Sequence, residues 1–140
     1  MKVNRIDHIC IAVKDLDSAG NTWGLLLGKS EPDEVYVDEL EKVRVFRYMV
    51  GEVGLEVMES TGPGSDVERW IERHGEGLMI LGLNVDDTPA AMAELQSAGY
   101  PLIGGPRQCD HGEFGFVHPK GANGVLLELM ADHVSDTGRR

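Results

Sequence analysis

Two glutamates stand where acids are hard to keep. Glu56 lies between Leu55 and Val57, and Glu128 lies between Leu127 and Leu129. A carboxylate in the middle of an aliphatic strand loses its hydration unless it has a partner or a task. His8 adds an imidazole within Ile6-Asp7-His8-Ile9-Cys10-Ile11-Ala12-Val13, where isoleucine and valine alternate with other residues. One histidine and two glutamates make a donor set for a divalent metal, or a set of acid/base groups for proton transfer. On that reading His8, Glu56 and Glu128 are candidate metal ligands, and Glu56 and Glu128 are candidate catalytic carboxylates. His111, in the stretch Gln108-Cys109-Asp110-His111-Gly112-Glu113, is a third candidate acid/base group, a solvated loop histidine being the plainer alternative.

The elements that must position these groups follow from periodicity. Alternation predicts a buried strand over residues 6–13. A helix starts at Lys14-Asp15-Leu16-Asp17, with acids in its first turn, where the dipole favours them. Leu16, Ala19, Trp23, Leu26 and Leu27 follow helical spacing, and Gly28 stops the helix. Strands follow at Glu34–Val37, Val43–Val50 and Val53–Glu59, with Gly51 and Gly54 marking the connection between the last two. After the break Ser60-Thr61-Gly62-Pro63-Gly64, a short amphipathic helix spans Ser65–His74 and ends at Gly75. The second half reads as strand Leu78–Val85, then a helix opening at Asp86-Asp87-Thr88-Pro89 and running to Gly99. Further strands are predicted near Leu102-Ile103, at Phe114–Val117 and at Gly124–Met130.

The second half is the first written again. Val13 and Val85, each opening a turn with Asp, are 72 positions apart, and so are Leu55-Glu56-Val57-Met58 and Leu127-Glu128-Leu129-Met130. Agreement at both ends marks a duplicated βαβββ unit. The predicted organisation is one domain over 1–140, with units at 4–60 and 77–131, a linker helix over 61–76 and a tail over 132–140. The fold class expected is α+β, two tandem βαβββ units forming a curved, mostly antiparallel sheet around a central cavity. Strand parity puts His8, Cys10 and Ala12 on one face. The aliphatic neighbours of Glu56 and Glu128 should face the helices, which turns both acids toward the cavity. Arg47 shares parity with Val45; it is read either as a binder of a substrate carboxylate or phosphate, or as an exposed edge-strand arginine.

Composition excludes several classes. With 140 residues, 41% of them hydrophobic, the chain is long enough for a core, and no apolar run approaches the roughly 20 residues of a membrane span. A formal charge of −11 without a basic stripe argues against nucleic acid as a partner. Cys10 and Cys109 are too few and too distant for a disulfide framework or a CxxC site, so both are read as reduced thiols. No signal-like apolar stretch follows Met1-Lys2-Val3-Asn4-Arg5, and a cytoplasmic location is the default expectation.

The stretch Ile6 to Leu16 resembles the opening of methylmalonyl-CoA epimerases, members of the vicinal oxygen chelate (glyoxalase/bleomycin-resistance/dioxygenase) superfamily. The resemblance continues through Ser60–Gly77, ending Arg73-His74-Gly75-Glu76-Gly77, and through His118-Pro119-Lys120 to Gly124-Val125-Leu126-Leu127-Glu128-Leu129. It implies a divalent metal held by a histidine on the first strand, a Gln or Glu on the fourth, a histidine on the fifth and a Glu on the eighth. Three of these carry over as His8, Glu56 and Glu128. The fifth-strand position reads Ile80, which the 72-residue repeat independently makes the counterpart of His8. A further proton-transfer glutamate on the third strand corresponds to Val45. An aliphatic side chain neither binds a metal nor carries a proton. The resemblance therefore implies an incomplete metal site of unknown ion identity and an activity other than methylmalonyl-CoA epimerisation. It also implies a homodimer.

The reading that follows is an isomerase or epimerase-like enzyme, or a lyase of the same type, acting by proton transfer on a carbonyl-containing small molecule. The substrate is an acyl thioester or a free keto compound, and Arg47, Val45, Ile80 and Cys10 are its candidate binding residues. The aliphatic Val45 and Ile80 favour a bulkier, greasier substrate. The alternative is a metal-free small-molecule sequestration protein of the same fold. Aromatic residues, 6% of the chain, are scarce for the grooves such proteins use, although two buried acids suit a cationic ligand. A catalytically dead scaffold is a third reading, opposed by retention of both symmetric glutamates.

Overall fold

The computed structural model describes residues 1–109 and 112–132. In chain order it contains β1 (Val3–Ala12), α1 (Leu16–Leu27), β2 (Glu34–Asp38), β3 (Val43–Val50), β4 (Val53–Ser60), α2 (Asp66–His74), β5 (Gly77–Val85), α3 (Thr88–Ser97), β6 (Leu102–Cys109), β7 (Gly112–Val117) and β8 (Leu126–Asp132). The chain thus adopts a mixed α+β fold, βαβββ twice, with α2 between the halves. Its contacts group into two compact units, His8–Met79 and Met1–Asp7 together with the chain from Ile80 onward.

In the His8–Met79 unit the strands run β2-β3-β4-β1, antiparallel except for the parallel pair β1–β4. In the other unit they run β5-β8-β7-β6, with the parallel pair β5–β8. Register carries the repeat into three dimensions. Ile9 pairs with Leu55 and Cys10 with Glu56; Leu81 pairs with Leu127 and Gly82 with Glu128. Each of these paired positions recurs 72 residues later, the Leu and Glu of the fourth strand unchanged.

The helices are closed by the caps the sequence offers. Asp15 accepts the Ser18 N–H at 3.2 Å, Ser65 that of Glu68 at 3.0 Å and Asp87 that of Ala90 at 3.0 Å. Gly28 ends α1 at φ 69°, a left-handed conformation that glycine adopts without a Cβ penalty. Leu16, Ala19, Trp23 and Leu27 of α1 pack with Leu55 and Val57 of β4. Met92 and Leu95 of α3 pack with Leu127 and Leu129 of β8. The residues flanking each glutamate therefore face a helix, and both glutamates point to the opposite face of their strands.

Four local expectations change. Leu26, at the margin of the stripe that Trp23 and Leu27 share, is 66% exposed. β6 runs on to Cys109, so this cysteine closes a strand rather than lying in a loop. Gly104 and Gly105 hide that strand in the sequence, and a register shift between Ile103 and Arg107 accommodates them. Gly54 lies inside β4 and has no part in the preceding turn, where Gly51 holds φ 61°. Arg47 is not on an edge, since β3 lies between β2 and β4.

One acid ties the start of the β2–β3 hairpin. The Asp33 carboxylate accepts the Met49 N–H at 2.7 Å and the Lys29 ammonium at 2.9 Å, and the Asp33 N–H donates to Arg47 O at 2.9 Å. The Met49 N–H first, and Lys29 second, hold the Asp33 carboxyl below its ordinary value. A depressed folded-state pKa contributes stability above the unfolded value, about 3.9, and loses it as pH falls through the folded value. Asp33→Asn should therefore melt earlier than the parent at neutral pH. Thermal unfolding followed by circular dichroism should show the gap closing as the pH drops below about 3.9.

Candidate functional site

Within the His8–Met79 unit, the face of the strands turned away from α1 gathers the reactive groups. His8 is 4% exposed, Cys10 2% and Glu56 8%. Parallel register sets Cys10 beside Glu56, and one ligand-capable atom from each of His8, Cys10 and Glu56 lies within 4.8 Å of the others. Among the described residues this is the group of histidine, cysteine and acid side chains with the spacing to hold a metal. The Cys10 thiol donates to Glu56 Oε1 at 3.5 Å, and the Arg47 guanidinium donates from Nη1 to Glu56 Oε2. The two oxygens of Glu56 thus have different partners.

Arg47 reaches Glu56 because two neighbours permit it. Antiparallel register places it between Glu34 on β2 and Glu56 on β4. Its Nε stands 3.9 Å from Glu34 Oε1, a pair that solvent weakens because the Glu34 side chain is 54% exposed. Gly54 supplies the room: a Cβ there would sit 2.3 Å from Arg47 Cζ. Gly54 pairs with His8 on its other side, so the missing side chain lies in the same cluster.

Tyr36 completes this face. It pairs with Val45 on β3, itself 1% exposed, and is partly buried. Burial first, and the negative charge of Glu56 second, push its phenol above the ordinary tyrosine range, with Arg47 and His8 only partly offsetting them. Tyr36 therefore stays protonated at neutral pH and acts as a donor, not a base. Burial also raises Tyr48, in the core beneath. A raised folded-state pKa contributes stability below the unfolded value of about 10 and loses it as pH rises through the folded value. Phenolate absorbance during an alkaline titration should show a late component coincident with unfolding, and Tyr36→Phe should remove part of it.

The remaining sequence candidates are distributed as follows. Glu128 lies on β8 in the other unit, 7% exposed. Its antiparallel neighbour is Phe116, where Glu56 has Arg47. Ile80, on β5, is partly buried and pairs with Leu126. His111 lies outside the described residues. His118 caps a single 3-10 turn and accepts the Lys120 N–H at 3.1 Å. A cleft of about 380 Å³ beside α3 and β6, lined by residues including Met92, Tyr100 and Pro106, carries no acid, histidine or cysteine. Two participants escaped sequence reasoning, Tyr36 and Gly54. Parity with Glu34 on the same strand is the available signal for Tyr36. Nothing local distinguishes Gly54 from a turn glycine.

Residues 7–116 match the family model described as Glyoxalase/Bleomycin resistance protein/Dioxygenase superfamily. The chain belongs to this superfamily. Over 91% of its length it is 31% identical to the ethylmalonyl-CoA/methylmalonyl-CoA epimerase of Cereibacter sphaeroides, covering 97% of that protein. It is 33% identical to the uncharacterized protein YqjC of Bacillus subtilis, with 91% of each chain covered. Among solved structures, a variant of Streptomyces coelicolor methylmalonyl-CoA epimerase in complex with 2-nitronate-propionyl-CoA superposes with a TM-score of 0.85. The two are 29% identical, with 97% of this chain and 99% of the other covered. A hypothetical protein of Bacillus halodurans superposes at 0.87 with 23% identity, over 99% and 100% of the two chains, a likeness of fold. No helix among the described residues is long and apolar enough to cross a membrane.

The donor chemistry of this group fits the divalent metal that the resemblance implies. Imidazole, thiol and carboxylate are all ligands of transition metals. Arg47 on Oε2 leaves Oε1 turned toward Cys10. A ligating carboxylate normally has such a partner on its second oxygen.

Proposed function

We propose that the protein is an isomerase or epimerase-like enzyme that moves a proton at the carbon alpha to the carbonyl of a small acyl compound, with acyl thioesters as the first substrate class to test. The observation that supports this best is the buried His8–Cys10–Glu56 group, in a chain similar over nearly its whole length to acyl-CoA epimerases. Such a reaction needs a group that stabilises the enolate oxygen and a carboxylate that takes the proton.

His8, Cys10 and Glu56 would hold the metal, which when bound polarises a carbonyl oxygen as a Lewis acid. Arg47 fixes the Glu56 carboxylate and adds positive charge to this pole of the site. Tyr36, kept protonated, donates a hydrogen bond where negative charge develops. Glu128 is proposed as the proton-transfer carboxylate. Its assignment rests on the repeat, which makes it the counterpart of Glu56 at the same register position of its own unit. His111 is retained as a second acid/base candidate. Val45 and Ile80, aliphatic where the resemblance implies a glutamate and a histidine, are proposed to select a substrate other than methylmalonyl-CoA. A homodimer belongs to this proposal, and light scattering at twice the chain mass checks it.

The test is deuterium uptake at the α-carbon in D2O, followed by mass spectrometry across a panel of branched acyl thioesters and β-keto acids that includes methylmalonyl-CoA. Uptake in another member of the panel, faster than in methylmalonyl-CoA, is the expected result. Absence of uptake throughout the panel, with metal supplied, would sink the enzyme reading.

A further inference from the structure

The cysteine in this cluster has a consequence for which ion the site takes. Residues two apart on a strand share a face, so His8-Ile9-Cys10 presents an imidazole and a thiol side by side. Parallel register brings Glu56 opposite Cys10. Each of the three residues is buried, and their ligand atoms lie within 4.8 Å of one another. Ligand atoms around one tetrahedral ion stand roughly 3.5 Å apart, given metal–ligand bonds of about 2.0–2.3 Å. Small side-chain rotations close that gap. The second observation is the aim of Glu56: Arg47 holds Oε2 over Gly54, and Oε1 faces the thiol.

We propose that Cys10 is a metal ligand, and that His8, Cys10 and Glu56 form a site selective for a thiophilic divalent ion such as Zn2+ over hard ions such as Mg2+. Cys10 thereby supplies the soft donor on β1 in a chain that has an aliphatic residue at the fifth-strand ligand position. As the sulfur–metal bond forms, the thiol releases its proton to water. One thiolate and one carboxylate then balance the dication, and Arg47 leaves the pole positively charged. A soft thiolate disfavours Mg2+, which prefers an octahedral oxygen shell. The proposal deepens the reading of the site given above, but its test needs no substrate, so each stands or falls separately.

Metal-stripped protein is titrated with Co2+ as a spectroscopic reporter. One equivalent should produce tetrahedral d–d bands and a near-ultraviolet thiolate-to-cobalt charge-transfer band, displaced by Zn2+ and indifferent to excess Mg2+. Cys10→Ser should remove the charge-transfer band and weaken Zn2+ by on the order of 100-fold or more, while Cys109→Ser leaves both unchanged. Arg47→Met, which releases Oε2, should weaken Zn2+ roughly 10–100-fold. X-ray absorption at the zinc edge of the unmodified protein reads the same point without a substitution, expecting one sulfur at about 2.3 Å. Folded protein that binds neither Co2+ nor Zn2+, or binds them with a spectrum that Cys10→Ser does not alter, overturns the proposal. α-Proton exchange in that same protein would leave the enzyme reading intact.

Discussion

Glu128→Gln should lower α-deuterium uptake by roughly 10²–10⁴-fold, the range for removing a positioned general acid or base, and leave ligand affinity within a few-fold. Glutamine keeps the size and polarity of the side chain, but its amide is too weak a base to take a proton from a carbon acid. Because Leu127 and Leu129 face the helix side, the strand keeps its core contacts and the fold should persist. The same variant separates an enzyme from a sequestration protein. In an enzyme the carboxylate acts on the transition state, so turnover falls and binding, read by calorimetry, survives. In a binder of cationic ligands the carboxylate is the attraction itself, so affinity falls. Loss of affinity without any turnover in the parent would favour sequestration and remove Glu128 from the proton-transfer role. Glu56→Gln gives the contrast. Glu56 is proposed to anchor the electrophilic pole, so its loss should appear first in metal affinity, with turnover following.

The two halves were legible in the sequence because a strand and a helix each repeat with their own period, and the halves repeat each other. The same alternation that placed Leu55 and Val57 toward a helix placed Glu56 on the other face, and the core packing of α1 and β4 agrees. What escaped was contact between residues distant in sequence on one sheet face. Strand parity gives the face of Arg47 but not its neighbour; only register, with Glu34 on one side and Glu56 on the other, does that. Gly54 is invisible for a related reason: its role is a volume taken by the Arg47 side chain. The scarcity of cysteines points to a reduced thiol at Cys10, although its His-X-Cys spacing on a strand puts it beside His8. The full length of β6 is hidden because glycines weaken a strand signal even where a bulge lets the strand continue. Tyr36, flanked by Val35 and Val37, carries no local mark of the charges that surround it.

Arg47→Met should destabilise the protein by about 2–3 kcal/mol, and the effect should be almost wholly an effect of Glu56. Removing one partner of a fully buried ion pair costs about 3–5 kcal/mol, chiefly because the other charge stays buried. Here the Arg47 and Glu56 side chains are 21% and 11% exposed, so water relieves part of that penalty. Two further variants identify the cause. Glu56→Gln on the Arg47→Met background removes the stranded charge, and the double variant should be more stable than Arg47→Met alone. Gly54→Ala adds a Cβ where the guanidinium sits. The guanidinium ends a flexible chain and can move away cheaply, so the loss should come from the broken pairing with Glu56, not from strain. Gly54→Ala and Arg47→Met should then be non-additive, with a coupling of about 1–3 kcal/mol in denaturant unfolding, as expected for two changes that remove one interaction. Additive effects would mean that Gly54 serves the strand on its own account. Strong coupling would mean that the absent side chain at Gly54 exists to seat Arg47, and through it to hold Glu56 with one oxygen turned toward Cys10.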